Sequence, residues 1–165
     1  MTVVSNTSPL RYLIAIGRAD LIQHIFGHVL ISRGVREELT HSSCPEMVQK
    51  WMAHAPAWLE TRDLAQSPES EFVRLLDQGE AEAIQLAIDL KADYLLIDER
   101  RGRQIATARG LTVIGALGIL IESHRQGRIQ NPSDILAELR AARFRVSRRL
   151  VQEFEELIQS MKSPE

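Results

Sequence analysis

Four consecutive apolar residues, Tyr94-Leu95-Leu96-Ile97, run without polar alternation into Asp98, and helical patterns flank them on both sides. A strand that is apolar on both faces belongs inside a parallel sheet covered by helices. Upstream, Gly79–Leu90 places Ala83, Ile84, Ala87, Ile88 and Leu90 at helical spacing. Downstream, Arg101–Ala108 reads as a helix stopped at Gly110, Leu111–Ile114 as the next strand, and Ile119–Arg125 as a helix closed by Gly127. The N-terminal part repeats the alternation. Val3-Val4-Ser5 is a strand, and Thr7 or Ser8 caps a helix with Pro9 in its first turn. Ala19–Phe26 is a second helix. His28–Ile31 is a strand, and Ser32 caps the helix carrying Val35, Glu38 and Leu39. Glu46–His54 is expected as helix, Ala57–Thr61 as strand, Gln66–Glu69 as a polar connection, and Pro132–Ala142 and Ser147–Met161 as two closing helices. Successive βα units with short connections imply right-handed crossovers. The expectation is a three-layer α/β/α sandwich with a central parallel sheet of four or five strands. It spans 1–165 as a single domain, with C-terminal helices from about residue 132.

Bulk properties narrow the partners. A net charge of −2 gives no general attraction for polyanions, so any nucleic-acid contact must come from a local patch. Cys44 stands alone, which excludes a disulfide within the chain. The start lacks the basic and long apolar regions of a signal peptide. The longest apolar stretch, Val113–Ile121, falls short of the roughly 20 residues that cross a bilayer. These features predict a soluble cytoplasmic protein without a membrane partner.

Four acids sit where such a fold would gather them: Glu38 after the second strand, Glu80 and Glu82 at the start of the Gly79 helix, and Asp98 directly after its strand. Parallel sheets bind ligands outside the carboxyl ends of their strands. Asn6, which follows the first strand, and Asp98 therefore emerge at one edge. Glu80 and Glu82 are two residues apart and face different sides of their helix. Carboxylates crowded in one cleft repel each other unless a cation compensates. Mg²⁺ or Mn²⁺ suits hard oxygen donors, and can activate water and stabilise a leaving phosphodiester oxygen. Taken singly, each acid has an ordinary explanation. Glu37 is a solvated helix residue, Glu80 a favourable charge at a helix N-terminus, and Asp98 an N-cap. Their joint placement after two strands points to a site. The five His show no metal-ligand spacing, and Gly115 and Gly118 lack the Lys-Ser/Thr of a phosphate loop.

The segments VVSNTSPL, VREEL, DQGEAEAIQLA, ADYLLIDERRGRQIA and GLTVIGALGIL resemble the PIN-domain superfamily, in particular a branch of VapC-like prokaryotic proteins of unassigned function. The resemblance runs from residue 2 to about 160. It implies metal-dependent RNA cleavage leaving a 5′-phosphate and a 3′-hydroxyl, commonly by the toxin of a toxin–antitoxin pair. It assigns catalytic positions to Asn6, Glu38, Glu80 and Asp98, with Glu82 as a further metal ligand. It also implies RNA, a small antitoxin protein and a second copy of the chain as partners. The departure is Asn6, where the family pattern carries an acid. Its carbonyl can still ligate a cation, but it brings no charge and no base. A competing reading is a degenerate module of this fold that binds RNA or a protein without cutting. The same carboxylates would also serve a phosphatase of small phosphoesters.

Arg100, Arg101 and Arg103 follow Asp98 directly and are the candidates for holding the RNA backbone, since the planar guanidinium fork matches phosphate. Arg103 serves equally as a helix anchor. Arg140, Arg143, Arg145, Arg148 and Arg149 form a second cluster, for which phosphate contact and a solvated, ion-paired face weigh the same.

Overall fold

The computed structural model describes residues 1–162; the last three residues of the expected 1–165 span lie outside the described residues. In chain order the elements are β1 (Val3–Ser5), α1 (Thr7–Ala15), α2 (Asp20–Phe26), β2 (Val29–Ile31), α3 (Arg33–Thr40), α4 (Glu46–Ala53), β3 (Leu59–Thr61), α5 (Ser70–Leu75), α6 (Gln78–Asp89), β4 (Tyr94–Leu96), α7 (Arg100–Ala108), β5 (Val113–Ile114), α8 (Ala116–Arg125), α9 (Pro132–Ala141) and α10 (Arg148–Ser160). The five strands form one parallel sheet in the order β3-β2-β1-β4-β5. Register pairs Val4 with Leu30 on one side of β1, and Val3, Val4 and Ser5 with Tyr94, Leu95 and Leu96 on the other.

The sandwich is built as its apolar runs dictate. Val3, Val4, Val29, Leu30, Ile31, Leu95, Leu96 and Ile97 are all buried. Removing each such side chain from water contributes about 1.5–3 kcal/mol. Helices pack over the sheet in two groups. One contains α1, α3, α4 and α6, with α6 lying on β1 and β4; the other joins α2, α8, α9 and α10. Among the described residues no helix is long and apolar enough to cross a membrane.

Several local expectations change. Asn6 is the N-cap position of α1, so Thr7 and Ser8 lie inside the helix and neither caps it; their hydroxyls turn to carboxylates instead. The N-cap position of α7 is Glu99, not Asp98. Helix α8 begins at Ala116, three residues before the expected start, with Gly115 at its N-cap and Gly118 inside it. Helix α5 was not anticipated. It is six residues long and exists to seat Phe72, which is fully buried.

Candidate active site

The order of the strands marks where a ligand site is expected. From β1 the chain proceeds to β2 on one side, and β4 later returns to pair on the other. Such a switch point opens a crevice at the carboxyl edge, between the loops that leave the two strands. Asn6 leaves β1 there, and Asp98 and Glu99 leave β4. The Asn6 amide N–H donates to the Leu96 carbonyl at 2.8 Å, which ties the two exits together.

Asn6 is 1% exposed. Its Nδ2 donates to Glu99 Oε2 at 3.0 Å, and this contact fixes the amide so that Oδ1 has no hydrogen-bond partner. A buried, unsatisfied acceptor costs about 1–3 kcal/mol, so its persistence calls for a reason. Asp98 shows the same pattern. Oδ1 accepts from the Ala116 amide at 2.9 Å, at the positive N-terminus of α8, while Oδ2 is buried without a partner. Burial pushes the Asp98 carboxyl up to about 6, against the Ala116 hydrogen bond and the Arg103 charge, which pull it down. Gly115 makes this seat possible: a Cβ on it would stand 2.6 Å from Asp98 Oδ1.

Glu80 is 8% exposed and sits in the first turn of α6. Asp77, the N-cap, accepts from the Glu80 amide at 2.8 Å, and Glu80 Oε2 accepts from the Asp77 amide at 3.2 Å, a reciprocal capping box. Burial, and next the charge of Asp77, push the Glu80 carboxyl up to about 7. Glu80 thus holds its helix end and also contributes to the acidic cluster. Glu38 accepts from the Thr7 hydroxyl and, through Oε1, from the Gly79 amide at 3.1 Å. Burial raises its carboxyl above the usual range, with the Thr7 bond opposing.

Helices α3 and α6 hold each other through their ends. Glu38 of α3 sits on the N-terminus of α6, and Glu82 of α6 accepts from the Gly34 amide at the N-terminus of α3, at 3.3 Å. Glu82 is thereby turned to α3. Its Oε2 is also buried without a partner. Glu99, which is not singled out in the sequence analysis, is the acid that links Asn6, Glu38, Glu80 and Asp98. Glu99 accepts from Asn6 and from the Ser8 hydroxyl, and its charge bears on Glu38, Glu80 and Asp98 alike. The one signal for it was its adjacency to Asp98. Among the described residues no three His, Cys, Asp or Glu side chains are already drawn together as a metal cage.

The three arginines divide. Arg103 Nη1 donates to the Ile97 carbonyl at 2.9 Å and anchors its helix beneath Asp98. Arg100 and Arg101 are exposed on the first turn of α7, and Arg101 reaches the Leu75 carbonyl only at 3.5 Å. Of the second cluster, Arg149 pairs with Glu153 at 2.9 Å on an exposed helix face.

Gly79 gives a test of the arrangement. A Cβ there would stand 2.6 Å from the Glu38 carboxyl carbon. Gly79→Ala should therefore swing Glu38 off the helix end while adding up to about 1 kcal/mol of helix propensity. If Glu38 is a cation ligand, thermal unfolding and Mn²⁺ titration should show a folded protein with weaker metal binding. Unchanged Mn²⁺ affinity would mean that Glu38 is not a ligand.

Comparison with known proteins completes the description. A family model, DUF3368, described as a PIN domain, matches residues 2–160. A search of the curated proteins finds no match. Among solved structures, the chain is similar to a PilT N-terminus domain protein, SSO1118, from the hyperthermophilic archaeon Sulfolobus solfataricus P2. The TM-score is 0.53 at 17% identity, over 74% of this chain and 93% of that one, a likeness of fold.

Proposed function

The chain belongs to the PIN-domain family, and on that premise we propose that it is a divalent-metal-dependent endoribonuclease serving as the toxin of a toxin–antitoxin pair. The observation that carries this reading is the pair of buried oxygens without partners, Asn6 Oδ1 and Asp98 Oδ2, at the switch point of the sheet. Hard, unsatisfied oxygens beside crowded carboxylates are the donor set that Mg²⁺ or Mn²⁺ prefers, and a bound cation would offset the cost of ionising those buried groups. Asp98, Glu80 and Glu38 would hold the ion, with the carbonyl of Asn6 as a neutral fourth donor. Glu82, held on one oxygen by the Gly34 amide and with its buried Oε2 unpartnered, would be a further ligand. When bound, the cation supplies Lewis acidity, lowering the pKa of water and stabilising charge on phosphoryl oxygens.

The chain's own residues do the rest. The Ala116 amide aims Asp98 and leaves its second oxygen without a partner. Thr7 and Gly79 fix the rotamer of Glu38. Arg100 and Arg101, exposed beside Asp98, hold the RNA backbone by charge-assisted hydrogen bonds. Family resemblance extends the reading to a small antitoxin protein and a second copy of the chain as partners. One observation favours a second reading, a module that binds RNA or a protein without cutting: Asn6 brings no charge to the position where the family pattern has an acid.

The deciding experiment incubates purified protein, free of any antitoxin, with mixed single-stranded RNA in Mn²⁺ and then in EDTA. Cutting that stops on chelation supports the nuclease. RNA bound equally well in both, and never cut, supports the binding module.

A further inference from the structure

We propose that Glu99 is a cation ligand of this site, supplying from the exit of β4 the negative charge that the exit of β1 lacks, with Asn6 as its hydrogen-bonded partner. The inference rests on the metal-dependent reading above.

The place of Glu99 in its own helix does not account for its side chain. It occupies the N-cap position of α7, yet its side chain caps no amide of that helix. Its carboxylate instead reaches back to the start of α1, accepting from Asn6 Nδ2 at 3.0 Å and from the Ser8 hydroxyl. A carboxylate at position 6 would set two anions at that separation and drive them apart. The amide of Asn6 removes the repulsion and draws Glu99 in. The two positions are thus linked: charge moves from one strand exit to the neighbouring one, and the number of carboxylates around the cleft is kept. An independent observation points to a ligand. Asn6 is 1% exposed, and the bond that orients Glu99 leaves Asn6 Oδ1 with no partner. Glu99 is also the one acid whose charge acts on Glu38, Glu80 and Asp98 together.

Mn²⁺ binding, read by calorimetry and by the electron paramagnetic resonance of free Mn²⁺, tests this with no reference to cleavage. Four proteins are compared: wild type, Asp98→Asn, Glu99→Gln, and the double variant Asn6→Asp with Glu99→Gln. Glu99→Gln should weaken Mn²⁺ binding by at least about tenfold. The double variant reverses the donor and acceptor of the pair and should recover most of that loss. A Glu99 with only a structural role would lower the melting temperature and leave Mn²⁺ affinity unchanged. That outcome overturns the proposal, as does a double variant that binds no better than Glu99→Gln. Wild-type binding that Asp98→Asn does not weaken would overturn the metal site itself, and this proposal with it.

Discussion

Asp98→Asn should yield a folded protein that cuts RNA at least about a hundredfold more slowly than wild type. The substitution keeps the shape of the side chain, and its oxygen can still accept from the Ala116 amide as Asp98 Oδ1 does at 2.9 Å. What it removes is the charge, together with the buried Oδ2 that has no other partner. Stability should move the opposite way. Burial works against an ionised Asp98, so in EDTA at alkaline pH the variant should melt higher than wild type. Cleavage rate and thermal unfolding measured on the same preparations separate the two effects. Undiminished cleavage would remove Asp98 from the site.

Metal-free protein should lose stability as the pH rises through the neutral range, a trend opposite to that of ordinary ion-paired carboxylates. Burial raises Glu80 to about 7 and Asp98 to about 6, and lifts Glu38 as well. An unfolded chain releases those protons near pH 4. The folded protein therefore binds more protons than the unfolded one across this interval. The stabilisation is complete below the ordinary carboxylate range and is lost as the pH climbs through 6 and 7. A cation competes with those protons, since it binds the ionised carboxylates. Added Mn²⁺ should raise the melting temperature little near pH 5 and strongly near pH 8, through its preferential binding to the native state. Melting curves in EDTA and in Mn²⁺ across that range provide the measurement. A metal-free protein whose stability rises from pH 5 to pH 8 would mean that these acids are not buried as described.

Much of this architecture could be read from the chain because burial on both faces leaves a plain mark. Val3-Val4 and Tyr94–Ile97 have nowhere to go but the middle of a covered parallel sheet, and the acids that follow such runs must leave at one edge. What escaped the reading was short or depended on distant partners. Helix α5 has six residues and one fully buried side chain, too little for a periodic signal. The Asp77-Gln78-Gly79-Glu80 box is a visible helix-start pattern, but in the sequence analysis Glu80 reads as a charge and a ligand rather than as half of that box. Thr7 and Ser8 looked like caps because their neighbours, Glu38 and Glu99, come from other parts of the chain. Glu99 went unnoticed because successive residues leaving a strand are expected to diverge. It bends back only because Asn6 and Ser8 wait for it on α1.

The strand order also sets a timetable for biosynthesis. β1 emerges from the ribosome first, but one of its two edges stays open until β4 arrives and Val3 meets Tyr94. Asn6, Glu38 and Glu80 are all translated by then and none has its final neighbours across that edge. The last component is the backbone amide of Ala116, which orients Asp98. At about 5–20 residues per second, the nascent chain spends several seconds carrying acids without a cleft. The hydrogen bonds that orient these acids are then complete only once Ala116 has been translated. A chain ending before Ala116 would hold every acid of the site and have no site.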